Sequence, residues 1–375
     1  MPQKLSQGTS SIFLSDGISP SINLTRTIHP VGQGAFYSEI FSARKKKLFT
    51  TVYDCGSNNK RSLTTETKQL DKVNLVFISH FHEDHINGIN EIRQNGNPLI
   101  IIPGISHYTF VIDLIYNYLH TGDKRCGSIS LMLDCLPALS SAKNNSNKQK
   151  QILTANIASN SDFGTGFYVV QEGVASIPTP VPIDDSLLWR YDAYFHKYDK
   201  GKEKELILEL SKRISALAEP ISDDFKDEIW YRNLIDGLSE LDLDDIKKVF
   251  TSIYKGSQNR YSMLVHSYPV DKHLKNMDCL YTGDIPITES VKTTIINIMP
   301  HYIQVPHHGS EHNYDESIYN NHQISFISVG RTNRYEHPHR KTLIGLIQKC
   351  KTVHMITEAT EDNDSKCYKC RFKLK

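Results

Sequence analysis

Long hydrophobic runs are missing from this sequence. Its most apolar stretch, Leu99 to Ile102, stops at Pro103 and Gly104, far short of the roughly 18 residues that a membrane span needs, so no bilayer crossing is expected. The N-terminal segment MPQKLSQGTSSIFLSDG has one lysine and a serine-rich body without an apolar centre. A secretory signal is therefore not expected, and the cytoplasm is the expected compartment. A dominant charge is missing too: 43 Lys and Arg stand against 42 Asp and Glu, a net +1, which excludes a global basic field for coating nucleic acid or membrane. The seven cysteines (Cys55, Cys126, Cys135, Cys279, Cys350, Cys367, Cys370) are odd in number and scattered, unlike a disulfide framework, and read as reduced thiols. Cys367 and Cys370 have zinc-knuckle spacing but no second such pair, so no structural zinc is expected there. There is no internal repeat, and Gly164 to Gly166 lacks the lysine of a phosphate loop.

What is present fits a globular chain: 39% hydrophobic and 23% charged residues over 375 positions, about two to three times the usual domain length. Residues 1–21 read as a flexible leader. From Ile22 onward short apolar and β-branched runs punctuated by glycine predict strands at Leu24–His29, Ala35–Ala43, Leu48–Tyr53, Val73–Ser79 and Leu99–Ile102. Lys45 to Lys47 read as a hairpin tip. Residues 140–150 and the Pro178, Pro180, Pro182 crossing read as loops. Between 185 and 255 the apolar period becomes helical: Leu206, Leu210, Ile214 and Leu217, then Trp230, Leu234 and Leu238, then Ile246, Val249, Phe250 and Ile253. Strand-like runs return at Tyr261–Tyr268, Asp278–Thr282, Tyr302–Val305 and Ile324–Val329. One α/β domain over 22–375, interrupted by a helical insert at 185–255, is the expected organisation.

The strongest chemical signal is His80-Phe81-His82-Glu83-Asp84-His85-Ile86-Asn87-Gly88, directly after the strand-like run Val73 to Phe77. In extended backbone, residues two apart point the same way, so His80 and His82 can converge on one ion. If the chain then turns into a helix, Asp84 and His85 fall in its first turn and can hold a second ion, and Gly88 lets that helix pack closely. Imidazole and carboxylate are donors suited to borderline divalent cations.

His-x-His-x-Asp-His resembles the signature of the metallo-β-lactamase superfamily. That resemblance implies an αββα four-layer sandwich and further residues at strand ends. Asp54, in Tyr53-Asp54-Cys55-Gly56, would orient a ligand histidine. Asp284, in Thr282-Gly283-Asp284, would bridge two ions. His307 or His308, in Pro306-His307-His308-Gly309, would be a further ligand, with His307 favoured. Val31 to Gly34 with Gln33, Asn259-Arg260-Tyr261-Ser262, and Gly330 through Asn333-Arg334-Tyr335-Glu336-His337 follow in an order similar to the soluble hydrolase domain of ComEC-type DNA-uptake proteins. Where many superfamily members carry a third histidine on metal 1, this chain has Asn259 and Ser262. His266 and His273 are expected to be structural or exposed.

The resemblance implies two divalent cations, zinc or manganese: His80 and His82 on metal 1, Asp84, His85 and His307 on metal 2, and Asp284 between them. Such a pair, about 3.5–4 Å apart, lowers the pKa of a shared water and clamps the attacking and leaving oxygens. Asp84 and Asp284 are the expected catalytic carboxylates. Arg331, Arg334, His337, His339 and Arg340 crowd one loop and suit phosphate oxygens, with His337 placed to protonate a leaving group. A metal-dependent phosphodiesterase or nuclease acting on DNA or another phosphodiester is the leading expectation. The alternatives are hydrolysis of a small ester or lactone, and a weakly active scaffold in a bacterial assembly such as a defence system, with the insert as a surface for a protein partner or self-association.

Overall fold

The computed structural model describes residues 22–142, 166–179, 189–198, 201–217, 222–254, 261–270, 272–331, 333, 336–358 and 368–374. The expected leader, most of the 140–150 loop, Pro180, Pro182, Asn259, Arg334 and Cys367 lie outside them. Among the described residues, two seven-stranded sheets form the centre. The first holds β1 (Ile22–Ile28), β2 (Phe36–Ala43), β3 (Lys46–Cys55), β4 (Leu75–Phe77), β5 (Leu99–Pro103) and β6 (Gly166–Val170), with β14 (Tyr368–Leu374) pairing antiparallel to β1 at its edge. The second holds β7 (Gly173–Pro178), β8 (Trp189–Phe195), β9 (Met263–Pro269), β10 (Cys279–Tyr281), β11 (Tyr302–Gln304), β12 (Ile324–Ser328) and β13 (Thr352–Ile356). Strands β3 to β6 run parallel to one another, as do β10 to β13.

Sequence explains the parallel strands. Leu75-Val76-Phe77 and Leu99 to Pro103 are buried throughout, because a parallel strand is covered on both faces. Between the sheets, aromatic rings interlock: Tyr53 stacks on Tyr281 with centroids 4.9 Å apart, and Phe41 meets Trp189 at 5.4 Å. The outer face of the second sheet (Leu264, Leu280, Ile303, Ile327) packs on Val291 and Ile295 of α9 (Glu289–Ile298) and Leu346 of α10 (Arg340–Lys349). Helices α1 (Lys60–Thr67), α2 (Glu83–Ile86), α3 (Ile89–Gln94), α4 (His107–Thr121) and α5 (Gly127–Ala142) layer against the first sheet, completing the expected four-layer αββα sandwich.

The helical region differs from expectation at its start. Residues 189–195 are β8 rather than helix, and its burial alternates strictly, with Trp189, Tyr191, Ala193 and Phe195 inside. Helix begins at α6 (Gly201–Ser211) and continues through α7 (Glu228–Leu238) and α8 (Leu243–Tyr254). The expected stripes are buried: Leu206, Leu210, Ile214 and Leu217, then Leu234 and Leu238, then Ile246, Val249 and Phe250. These helices pack on α4, which is why α4 is apolar nearly all round. Among the described residues no helix is long and apolar enough to cross a membrane.

One polar cluster lies between the sheets. Glu39 Oε1 accepts from Arg26 Nε at 2.7 Å and Tyr281 Oη at 3.1 Å, while Oε2 accepts from Ser267 Oγ at 2.6 Å and Tyr191 Oη at 2.7 Å.

Candidate metal centre

The chemistry-bearing residues gather at one edge of the sandwich, off the C-terminal ends of the parallel strands. Asp54 lies near the end of β3, the His80–His85 motif follows β4, Asp284 follows β10, and His307 and His308 follow β11. Strand ends are where side chains leave the ladder and can converge. Local packing fixes each loop. A Cβ on Gly88 would come within 2.5 Å of the Cys55 carbonyl, so only glycine lets the chain after α2 press on β3, as its position in the motif suggested. Gly283 has φ +54°, and a Cβ there would come within 2.2 Å of Ser262 Oγ. Gln304 Oε1 receives the N–H groups of Thr282 and Gly283 at 2.9 and 3.1 Å, and Ser262 Oγ receives that of Asp284 at 3.3 Å.

Among the described residues two donor groups result, each with its ligand atoms within 4.8 Å of one another: His80, His85 and Asp284; and Asp84, His85 and His308. His85 belongs to both. Its Nδ1 meets Asp54 Oδ2 at 2.8 Å, and Asp54 is itself held by Ser79 through its backbone N–H and its Oγ, each at 2.7 Å. The expected pairing of Asp54 with a motif histidine is thus present, and it turns His85 Nε2 toward Asp284 Oδ1 at 3.3 Å.

His307 was the favoured ligand, yet the structure brings His308 into the second group. His308 Nδ1 meets the Ser328 carbonyl at 2.8 Å, and its Nε2 lies 3.7 Å from Asp84 and 3.9 Å from Asp284. His307 Nε2 is also 3.7 Å from Asp284, with Nδ1 on Asn313 Oδ1 at 3.0 Å. The physical reason is backbone: both residues are left-handed, at φ 48° and 53°, so they do not splay to opposite sides as extended neighbours would. His82 belongs to neither group, although its ring lies 4.6 Å from that of His80. Its ring stacks on Tyr116 at 4.5 Å, and Nε2 lies 3.9 Å from Asp113 Oδ1.

Electrostatics favour a cation here. Burial holds His80 well below the ordinary histidine range and brings His82 down to about 4, so both offer neutral lone pairs near pH 7. For His85, burial opposes the charge but Asp284 and Asp54 outweigh it and push its pKa up, marking a point that attracts positive charge. Asp84 is held low, with His308 and His85 overcoming its burial. The test of fit is in the nitrogens. Buried Nε2 atoms of His80 and His308 have no hydrogen-bond partner, which for packed imidazole is costly unless a ligand takes them. A divalent cation with nitrogen and oxygen donors fits that set.

Other expected residues separate. His337 is brought to the rim, its ring 5.3 Å from that of His307, and its pKa is brought down to about 4 by burial and by His307 and His308. Asn333 ties that loop by bonding the Gly330 and His337 carbonyls at 2.9 and 2.7 Å. Arg331 is exposed, its Nε donating to Thr357 Oγ1 at 3.3 Å and its N–H to Glu358, so it is not brought to the imidazoles. His339 meets Glu311 at 3.2 Å, and Arg340 is exposed at the start of α10. Gln33 is buried, its carbonyl accepting from Asn58 N at 2.8 Å and its side-chain Oε1 from Gly330 N at 3.5 Å, at the start of the loop that carries Asn333. His266 is paired with Asp278 at 3.1 Å, away from both groups. Sequence reading missed Asp113 on α4, which Tyr261 hydrogen-bonds and whose carboxyl burial pushes up to about 8. Its available signal was a lone carboxylate inside the apolar run Phe110 to Ile115.

A family profile described as Anti-Pycsar protein Apyc1 matches residues 34–97, the stretch holding Asp54 and the histidine motif. No curated protein matches the sequence. Among solved structures the chain is similar to an archaeal metallo-beta-lactamase superfamily protein from Sulfolobus tokodaii, at 13% identity and TM-score 0.29, over 74% of this chain and 77% of that one. It is similar also to the FEZ-1 metallo-beta-lactamase from Legionella gormanii, at 11% identity and TM-score 0.21, over 62% of this chain and 97% of that one. At such values these likenesses carry no argument about chemistry, and the resemblance to ComEC-type domains finds no support in them.

Proposed function

We propose that the protein is a hydrolase that holds two divalent cations, zinc or manganese, and cleaves phosphodiesters, DNA among them. The observation that carries this reading is the pair of buried, unbonded imidazole Nε2 atoms on His80 and His308, facing the Asp84 and Asp284 carboxylates. His80 with Asp284, and His308 with Asp84, would hold the cations, with His85 serving one of them at a time, while His82 and His307 stand beside them as further donors. Such cations lower the pKa of water and neutralise charge building on a phosphoryl group. Asp54 fixes the His85 ring, so that its Nε2 alone faces inward. His337, on the rim beside His307, is the group placed to hydrogen-bond a leaving oxygen. The Apyc1 profile match supports an anti-Pycsar role over DNA uptake as the setting for this chemistry.

The test is hydrolysis of bis-(p-nitrophenyl) phosphate and of linear and single-stranded DNA by protein loaded with Mn²⁺ or Zn²⁺. Asp84→Ala and Asp284→Ala should each lower turnover by about 1000-fold or more, with an unchanged circular dichroism spectrum. Equal activity in wild type and both variants would sink the reading. Turnover of a lactone or carboxylic ester with none on phosphodiesters would favour the small-ester alternative.

A further inference from the structure

Beside Asp284 a cavity opens whose walls come from four separate stretches: the residues after β8 (His196, Lys197, Tyr198), the first turn of α6 (Lys202), the step into β9 (Tyr261, Ser262), and the chain that leads from Asp284 into α9. It shares a wall with the imidazole cluster. Ser262 Oγ receives the Asp284 N–H at 3.3 Å, and the Tyr261 ring lies 6.4 Å from that of His80.

The lining has one sign of charge. It contains no carboxylate, while Lys197 and Lys202 are both exposed and neither has an ion-pair partner among the described residues. Lysines elsewhere do pair, as Lys47 does with Asp71 at 2.6 Å and Lys124 with Asp236 at 2.7 Å. His196 adds a solvent-shielded Nε2 without a hydrogen-bond partner. The ten-residue helix α9, whose Val291 N–H is capped by Thr288 and whose first turn carries Glu289, begins at the same wall. The Tyr198 and Tyr261 rings, 5.3 Å apart, form an aromatic side of the lining.

We propose that this cavity receives a second anionic group of the substrate, one phosphate along from the scissile bond, with Lys197 and Lys202 as its positioning residues. The preferred substrate is then an oligonucleotide rather than a lone phosphodiester, with the tyrosine rings beside the intervening nucleoside. This inference rests on the phosphodiesterase reading and extends it from reaction type to substrate class.

Two chromogenic nucleotides that differ by one phosphate provide the test: thymidine 5'-(p-nitrophenyl phosphate), and the same compound carrying a 3'-phosphate. Wild-type protein loaded with Mn²⁺ should favour the 3'-phosphorylated compound by about tenfold in kcat/KM, expressed mainly in KM, as expected for a charge-assisted contact. In the Lys197→Ala/Lys202→Ala double variant that ratio should fall to near one. A wild type without the preference, or a variant that retains it, overturns the proposal. Should wild type hydrolyse neither compound, the phosphodiesterase reading is what fails. The cavity is then judged alone, by fluorescence anisotropy of a labelled single-stranded oligothymidine with full-length protein in EDTA. About tenfold weaker binding by the double variant supports the site, and equal binding rejects it.

Discussion

Glu39 between the sheets and His80 and His308 at the strand ends are equally hidden from water, yet their bonding differs. Both Glu39 oxygens are met by donors from Arg26, Tyr191, Ser267 and Tyr281, whereas the two imidazoles each keep a buried Nε2 with none. Burying a charged carboxylate costs more than burying a neutral imidazole nitrogen, and at Glu39 four donors offset that larger cost. The two Glu39 oxygens are filled from within the chain, by donors that tie one sheet to the other. The outer cluster is complete only with something added, and its unmet atoms are those that an ion would take.

That contrast can be broken most sharply at Glu39. Glu39→Ala leaves the Arg26 guanidinium buried without its carboxylate and should cost about 3–5 kcal/mol, read from urea unfolding. A loss under about 1 kcal/mol would mean that the inner cluster is not structural. Next in size is the response to metal. Zn²⁺ or Mn²⁺ at about 100 times its Kd should stabilise metal-stripped protein by about 2.7 kcal/mol, and much less in His80→Ala. An unchanged melting temperature in wild type would show that the outer cluster closes by other means. Asp54→Asn removes the carboxylate charge behind His85 and should weaken metal binding by about 10–100-fold, measured by calorimetric titration. The smallest effect separates two neighbours. His308→Ala should lower metal affinity more than His307→Ala, because His308 is fully buried against Asp84 while His307 sits at the rim with Nδ1 on Asn313. The reverse order would restore His307 as the nearer donor.

The residues legible in the sequence were those whose spacing is read within one strand end. His80, Asp84, His85 and Asp284 each follow a short apolar strand by three to eight positions, and strand-end geometry delivers them to one place. The histidine pair at 307–308 was legible as a pair but not in order, since the left-handed turn that gathers both rings has no marker such as glycine at either position. Strand β8 was hidden because its alternation lies against a long helical pattern, and the wider periodicity prevailed. The lysine-lined cavity was out of reach altogether: Lys197, Lys202 and Tyr261 become neighbours only when β8 and β9 pair. Pairwise contacts between distant stretches leave no periodic trace.

His85 is the hinge on which occupancy turns. With Nδ1 engaged by Asp54, the ring has a single lone pair left, on Nε2, and the residue belongs to both donor groups. Two ions cannot each have it. Filling one seat therefore strips the other of a ligand, so successive additions to the emptied protein should be unequal and interdependent, and a titration curve that fits two identical, independent sites would contradict this sharing.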